Sequence, residues 1–309
     1  MKARDGVDLI LLAALWGASF LFMRIAVPQF GPLPLMALRC AVGAAVLVPL
    51  LAWRGDIGVL RRRPGAFGVV GLLNSALPFA LFGFATLTLS AGYSALLNAT
   101  TPLWAALVAY AWLGDAPTRR QLAGLAIGFG GVLVLVTGRG AIAPGGGLLA
   151  VLAALAATLS YGVAAGHARR YMTGTPAIAL AAGSQIAATA VLAVPAALSW
   201  PERMPDAGAW LAVLALGAAC TGVAYVLYFR LLTRAGAPTA TAVTFLVPVF
   251  AVLWGGLFLG ERPTPTMLAG GAVIFAGTAL ATGVRWPFSA GAAAGGAAEG
   301  RTRQKRRPG

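Results

Sequence analysis

Most of the stretch Tyr93–Gly131, YSALLNATTPLWAALVAYAWLGDAPTRRQLAGLAIGFGG, returns 146 positions further along the chain. That shift sets Pro102 on Pro248, Leu113-Gly114-Asp115 on Leu259-Gly260-Glu261, Pro117-Thr118 on Pro263-Thr264, and Leu122-Ala123-Gly124 on Leu268-Ala269-Gly270. An internal duplication constrains the fold before any single residue is weighed. Each copy holds two apolar runs joined by a short Gly-acid-x-Pro-Thr turn. At 1.5 Å rise per residue, a run of about 20 residues spans the roughly 30 Å of hydrocarbon in a bilayer. Each copy is therefore expected to be a transmembrane hairpin. Pro102 and Pro248 fall within the first helix of each copy. A proline there removes an N–H and kinks the helix, and the freed carbonyl must face protein or a water-filled cavity.

Composition agrees with a bilayer as the main solvent. Of 309 residues 59% are hydrophobic and only 10% charged, against about 25% charged in an ordinary soluble domain. Lys and Arg outnumber Asp and Glu by 23 to 8. In a soluble protein that excess would point to nucleic acid; here it is read as a topology signal, and no nucleic-acid partner is expected. Cys40 and Cys220 lie inside apolar runs without CxxC spacing, so they read as small apolar residues rather than a disulfide or a metal site.

Ten spans are predicted: Val7–Val27, Leu33–Trp53, Gly65–Leu87, Tyr93–Leu113, Gln121–Thr137, Gly146–Gly166, Pro176–Leu198, Ala209–Leu232, Pro238–Leu259 and Pro265–Val284. The first is too long for the core of a signal peptide and has no persuasive cleavage site. An even number puts both ends on one side. If that side is the cytoplasm, 18 basic residues lie in inner segments and 4 in outer ones (Arg24, Arg139, Arg203, Arg262), as the positive-inside rule requires. The tail, Ala/Gly-rich and then basic, is expected to be disordered and cytoplasmic.

The repeat extends beyond the hairpin. Trp16-Gly17 and Arg24 correspond to Tyr161-Gly162 and Arg169 at a shift of 145, and Arg39 meets Gln185 at 146. The expected architecture is an all-α membrane protein of ten transmembrane helices in two five-helix repeats, residues 1–139 and 140–285, followed by the tail 286–309. Five is odd, so the second repeat enters the membrane inverted. Inverted repeats around a midplane site are a recurring construction of secondary transporters.

Trp16-Gly17-Ala18-Ser19-Phe20 in the first helix, Leu38-Arg39 in the second, the fourth helix ending Leu113-Gly114-Asp115 and its echo ending Leu259-Gly260-Glu261-Arg262-Pro263-Thr264 resemble the EamA-type proteins of the drug/metabolite transporter superfamily. The resemblance covers about Val7 to Val284. It implies a ten-helix inverted-repeat carrier in a bacterial inner membrane, often an exporter of amino acids, related metabolites or toxic compounds. It leaves the cargo open, since members sharing these motifs differ widely. The alternative from another class is a membrane component that binds lipid or a partner protein without transport.

Polar groups at membrane depth are few. Arg39 is the only charge well inside an apolar run; such a charge costs from about 2.5 kcal/mol upward and by default suggests function, the bland alternative being snorkelling or a bond to a free carbonyl. Gln185 either bonds cargo or joins two helices. Asn98, Thr100 and Thr101 precede Pro102, with Thr241 and Thr244 near Pro248; they either line a site or satisfy carbonyls that the prolines release. Trp16, Asn74, Tyr161, Tyr225 and Tyr228 are candidate pocket residues, their rings packing on an apolar body while N–H or O–H groups orient it. The substrate-binding set is thus Trp16, Arg39, Asn74, Asn98, Thr101, Tyr161, Gln185, Tyr225 and Thr244, with Pro102 and Pro248 as structural kinks.

Catalysis finds no support. No carboxylate pair lies at depth, no HExxH is present, and Gly92-Tyr93-Ser94 lacks the rest of a nucleophile elbow. No enzyme activity, cofactor or metal is expected. The partners are a small-molecule substrate and the bilayer. Gly124-x-x-x-Gly128 with Gly130 and Gly131, and Gly270, Gly271 and Gly277 in the tenth span, give two small-residue faces. They serve packing within one chain or a homodimer.

Overall fold

A computed structural model describes residues 3–137 and 147–283. Ten of its helices are long and apolar enough to cross a membrane: α1 (Ala3–Phe30), α2 (Pro32–Trp53), α3 (Pro64–Thr86), α4 (Ala91–Leu113), α5 (Arg119–Thr137), α6 (Gly147–Tyr171), α7 (Ala177–Leu198), α8 (Ala207–Gly236), α9 (Thr239–Leu259) and α10 (Pro265–Thr282). Among the described residues there is no strand. Each predicted span corresponds to one crossing. The ends differ by a few residues, because caps lie outside the apolar runs: Asp206 starts α8 by accepting the Ala209 amide at 2.8 Å, and Asp5 sits in the first turn of α1, where the helix dipole favours an acid. The predicted boundary at residues 139 and 140 and the tail 286–309 lie outside the described residues.

Side-chain contacts display the alternation of the crossings. On the side where α1 ends, Arg24 reaches the Thr86 carbonyl at the end of α3 and Glu261 just after α9. On the side where α1 begins, Asp8 faces Arg230 and Arg234 near the end of α8, and Arg63 before α3 donates to the Tyr171 carbonyl at the end of α6. We call these the far and near sides. Leu133, Val194, Leu211, Leu257 and Leu268 are each more than 60% exposed, which only a lipid surround makes inexpensive.

The sequence repeat is also a packing repeat. α1 lies against α8 and α9, and its equivalent α6 lies against α3 and α4; α2 packs on its own equivalent α7, and α5 on α10. With an odd number of helices each, the halves run in opposite senses. The α5–α10 contact is built on glycine. A Cβ placed on Gly277 would stand 2.2 Å from the Gly128 amide nitrogen, and one on Gly124 would stand 2.4 Å from that of Ala281. In a bilayer, close approach of backbones supplies the dispersion that a hydrophobic effect between helices cannot. Both small-residue faces are thus used within the chain.

The prolines behave differently from each other. α4 is broken at Ala99–Thr100 into Ala91–Asn98 and Thr101–Leu113, so Pro102 stands in the first turn of the second piece, where its missing N–H costs nothing. Thr100 and Thr101 hydroxyls donate to the Leu97 and Asn98 carbonyls, each at 2.7 Å, as the break requires. Pro248 instead lies within the continuous helix Val243–Leu259. The expected symmetric pair of kinks is therefore a break just before Pro102 in the first half and, in the second, an interruption of α9 at Ala242 followed by a helix that runs unbroken through Pro248.

A symmetry that the prolines lack is kept by α3 and α8. Each passes through a π-helical turn, Leu72–Ala76 in one and Ala215–Val223 in the other, at positions that the 146-residue shift superposes. Such bulges collect at functional sites. A glycine stands at each: a Cβ on Gly71 would meet the Ser184 carbonyl of α7 at 2.9 Å, and one on Gly217 the Arg39 carbonyl of α2 at 3.0 Å.

A candidate substrate cavity between the halves

Between the halves lies a cavity of about 340 Å3, within the usual size for a small-molecule site. Its wall is taken from α1, α2, α3, α4, α6, α8 and α9, while α5, α7 and α10 stand outside it. Trp16, Arg39, Asn74 and Asn98 reach it from the first half. Thr101 joins them just past the break in α4, and Tyr161, Tyr225 and Thr244 come from the second half. Eight of the nine predicted residues thus share one space.

Gln185 is the exception. It is fully buried, and its Nε2 donates to Ser75 Oγ at 3.0 Å, off the cavity wall. Arg39 makes the equivalent bond, Nε to Thr221 Oγ1 at 3.1 Å, since Ser75 and Thr221 are related by the same shift as Gln185 and Arg39. The side chains diverge beyond that point for a simple reason of length. Glutamine ends at its serine; arginine continues, and its guanidinium carbon lies 3.9 Å from the centre of the Phe79 ring. Sequence symmetry marked the two positions as a pair, and chain length assigns only one of them to the cavity.

Arg39 is the one charged side chain in the wall, and its residue is only 6% exposed. No carboxylate pairs with it among the described residues. One edge of the guanidinium is taken by Thr221 and one face by Phe79, a cation–π contact of the kind that gains strength when desolvated. The remaining N–H groups form the planar fork that suits a carboxylate.

The rest of the wall is aromatic and weakly polar. Trp16 lies against Tyr228 with ring centroids 5.5 Å apart, and Phe82 stacks near Tyr161 at 6.4 Å. Asn74 Nδ2 donates to the Tyr225 hydroxyl at 3.3 Å. Phe79, Phe82 and Thr221 were not singled out in the sequence, and Cys220, read there as a small apolar residue, stands in the wall as a buried free thiol. Phe and Thr are common in any apolar span, so only the repeat alignment of Thr221 with Ser75, beside that of Arg39 with Gln185, carried a signal.

A family model described as the EamA-like transporter family matches the chain twice, over residues 6–137 and 148–283. The chain belongs to this family. Similar curated proteins include a probable terminal-alkyne amino-acid exporter of Streptantibioticus cattleyicolor, 27% identical over 283 residues that cover 88% of this chain and 91% of the relative. A protein of Pseudomonas aeruginosa, PA1977, is 32% identical over 79% of this chain and 82% of its own length. The inner membrane transporter YedA of Escherichia coli K12, itself uncharacterized, is 26% identical over 87% of each. A solved crystal structure has TM-score 0.63 at 25% identity, covering 91% of this chain and 97% of its own.

Proposed function

We propose that this EamA-family protein is an inner-membrane exporter of small molecules that carry a carboxylate, amino acids foremost, and that it works by alternating access around the central cavity. The observation that carries the reading is Arg39: a buried, permanently charged fork in a cavity wall that contributes no acid. A charge at that depth needs a counter-ion, and the cargo supplies it. The apolar remainder of the cargo packs on Trp16, Tyr161 and Tyr228. The name of the Streptantibioticus relative, an amino-acid exporter, supports the cargo class and the direction of movement.

The near side is the cytoplasm, by the distribution of basic residues. The repeats divide near residue 139, and the tail from residue 286 is cytoplasmic. The cavity wall holds no titratable carboxylate or histidine, which supports facilitated diffusion or exchange over proton coupling. The reading is tested in proteoliposomes loaded with labelled l-leucine. Arg39→Gln is expected to abolish its movement while membrane insertion persists, and Arg39→Lys to restore only part, since one ammonium cannot supply two parallel bonds. Wild-type leucine flux in Arg39→Gln would remove the anionic cargo from the proposal.

A further inference from the structure

The bond between Arg39 and Thr221 is set up from below. Thr221 Oγ1 donates its one proton to the Leu216 carbonyl at 2.8 Å, five residues earlier and inside the π-helical turn of α8. With that proton spent, the hydroxyl can offer Arg39 only lone pairs. Its methyl is fixed as well, because Gly43 opposite leaves just enough space: a Cβ there would fall 2.8 Å from Thr221 Cγ2. Thr221 is 1% exposed, so water does not compete for the bond.

We propose that Thr221 is the positioning residue of the cargo site. It holds the Nε edge of Arg39, Phe79 holds one face, and the two Nη groups are left aimed at the carboxylate of the cargo. This rests on the reading of Arg39 as the cargo anchor and adds a second element to it, since Arg39 belongs to the first half and Thr221 to the second. The anchor is aimed across the interface between halves. The neutral counterpart, Gln185 with Ser75, supplies the same join without a charge, so the molecule grips one carboxylate from one side of its pseudo-twofold axis.

The test measures uptake of a mixture of labelled l-amino acids, and separately of their amides, by proteoliposomes carrying wild type, Thr221→Val, Thr221→Ser and Arg39→Gln. Thr221→Val keeps shape and removes the acceptor. The half-saturating concentration for the acids is expected to rise about tenfold, the loss of one hydrogen bond to a charged group. Maximal rate stays within about twofold, handling of the amides is unchanged, and Thr221→Ser recovers the wild-type value. If Thr221→Val aggregates on size exclusion, Thr221→Ala carries the same expectation. An unchanged half-saturation in Thr221→Val beside a dead Arg39→Gln overturns the positioning role and leaves the anchor standing. Equal losses for acids and amides overturn it too, in favour of a packing role. If wild type moves none of the acids, or Arg39→Gln moves them normally, the anchor itself falls and the positioning role with it.

Discussion

The molecule contains the same ion pair twice, once on the far side and once on the near side, and the two copies differ in surroundings. Arg24 with Glu261 stands on the far side and Arg169 with Asp115 on the near side, and the repeat superposes one on the other. The far pair joins α1 to the turn after α9 at 3.2 Å, and its side chains are 30% and 16% exposed. Its carboxylate also accepts the Ala91 amide at the start of α4, at 2.9 Å, while Arg24 donates to the Thr86 carbonyl. Four helices therefore meet on one half-buried pair. The near pair is more open, its side chains 61% and 46% exposed. Equal sequence does not give equal energy: solvent decides, because exposed pairs are worth about 0 to 1 kcal/mol while breaking a buried one costs more.

The largest effect expected from that contrast between equivalent positions is in the cavity. Arg39→Gln is expected to eliminate carboxylate transport, whereas Gln185→Leu at the equivalent position leaves the rate within about twofold, since it removes one neutral bond and one buried carbonyl without a partner. Parallel flux assays decide it, and equal losses would break the asymmetry.

Next come the two ion pairs. Glu261→Gln is expected to destabilise by about 1–3 kcal/mol, as an arginine and an amide lose a charged acceptor; Asp115→Asn is expected to cost less than about 1 kcal/mol. Thermal unfolding in detergent compares them. A smaller effect is that raising salt to about 1 M, where the Debye length is near 3 Å, should erase the Asp115→Asn difference and leave most of the Glu261→Gln difference.

The smallest concerns Asp206, the cap of α8, which also exchanges two hydrogen bonds with Gln29 of α1. The Ala209 amide, then the Gln29 side chain, hold its carboxyl below the ordinary value of 3.8. A lowered value means stability present above the ordinary value and lost as pH falls through the lowered one. Wild type should therefore lose melting temperature below pH 3.8 more steeply than Asp206→Asn. Identical pH profiles would show that the Asp206 carboxylate does not stabilise the join of α1 and α8.

The helices were legible because an apolar run of spanning length has few other uses, and the symmetry was legible because the repeat is ungapped from Tyr93 onward. Arg39 announced itself by its cost. Three things were not legible. That Gln185 leaves the cavity follows from side-chain reach and from Gly71 bringing α3 onto α7, neither of which a pattern of polarity encodes. Thr221 takes its meaning from a residue 182 positions away, and Pro102 from a break whose carbonyls its neighbouring threonines had already satisfied.

The glycine contact between α5 and α10 has a consequence for the order of biosynthesis. Its two strips are made far apart in time, since α10 begins only at Pro265. Until it is inserted, Gly124 and Gly131, whose close neighbours are on α10, lack their packing partners. This glycine seam is then the last to form, so a ribosome that stalls late leaves a chain with nine crossings, every helix of the cavity wall and an open groove.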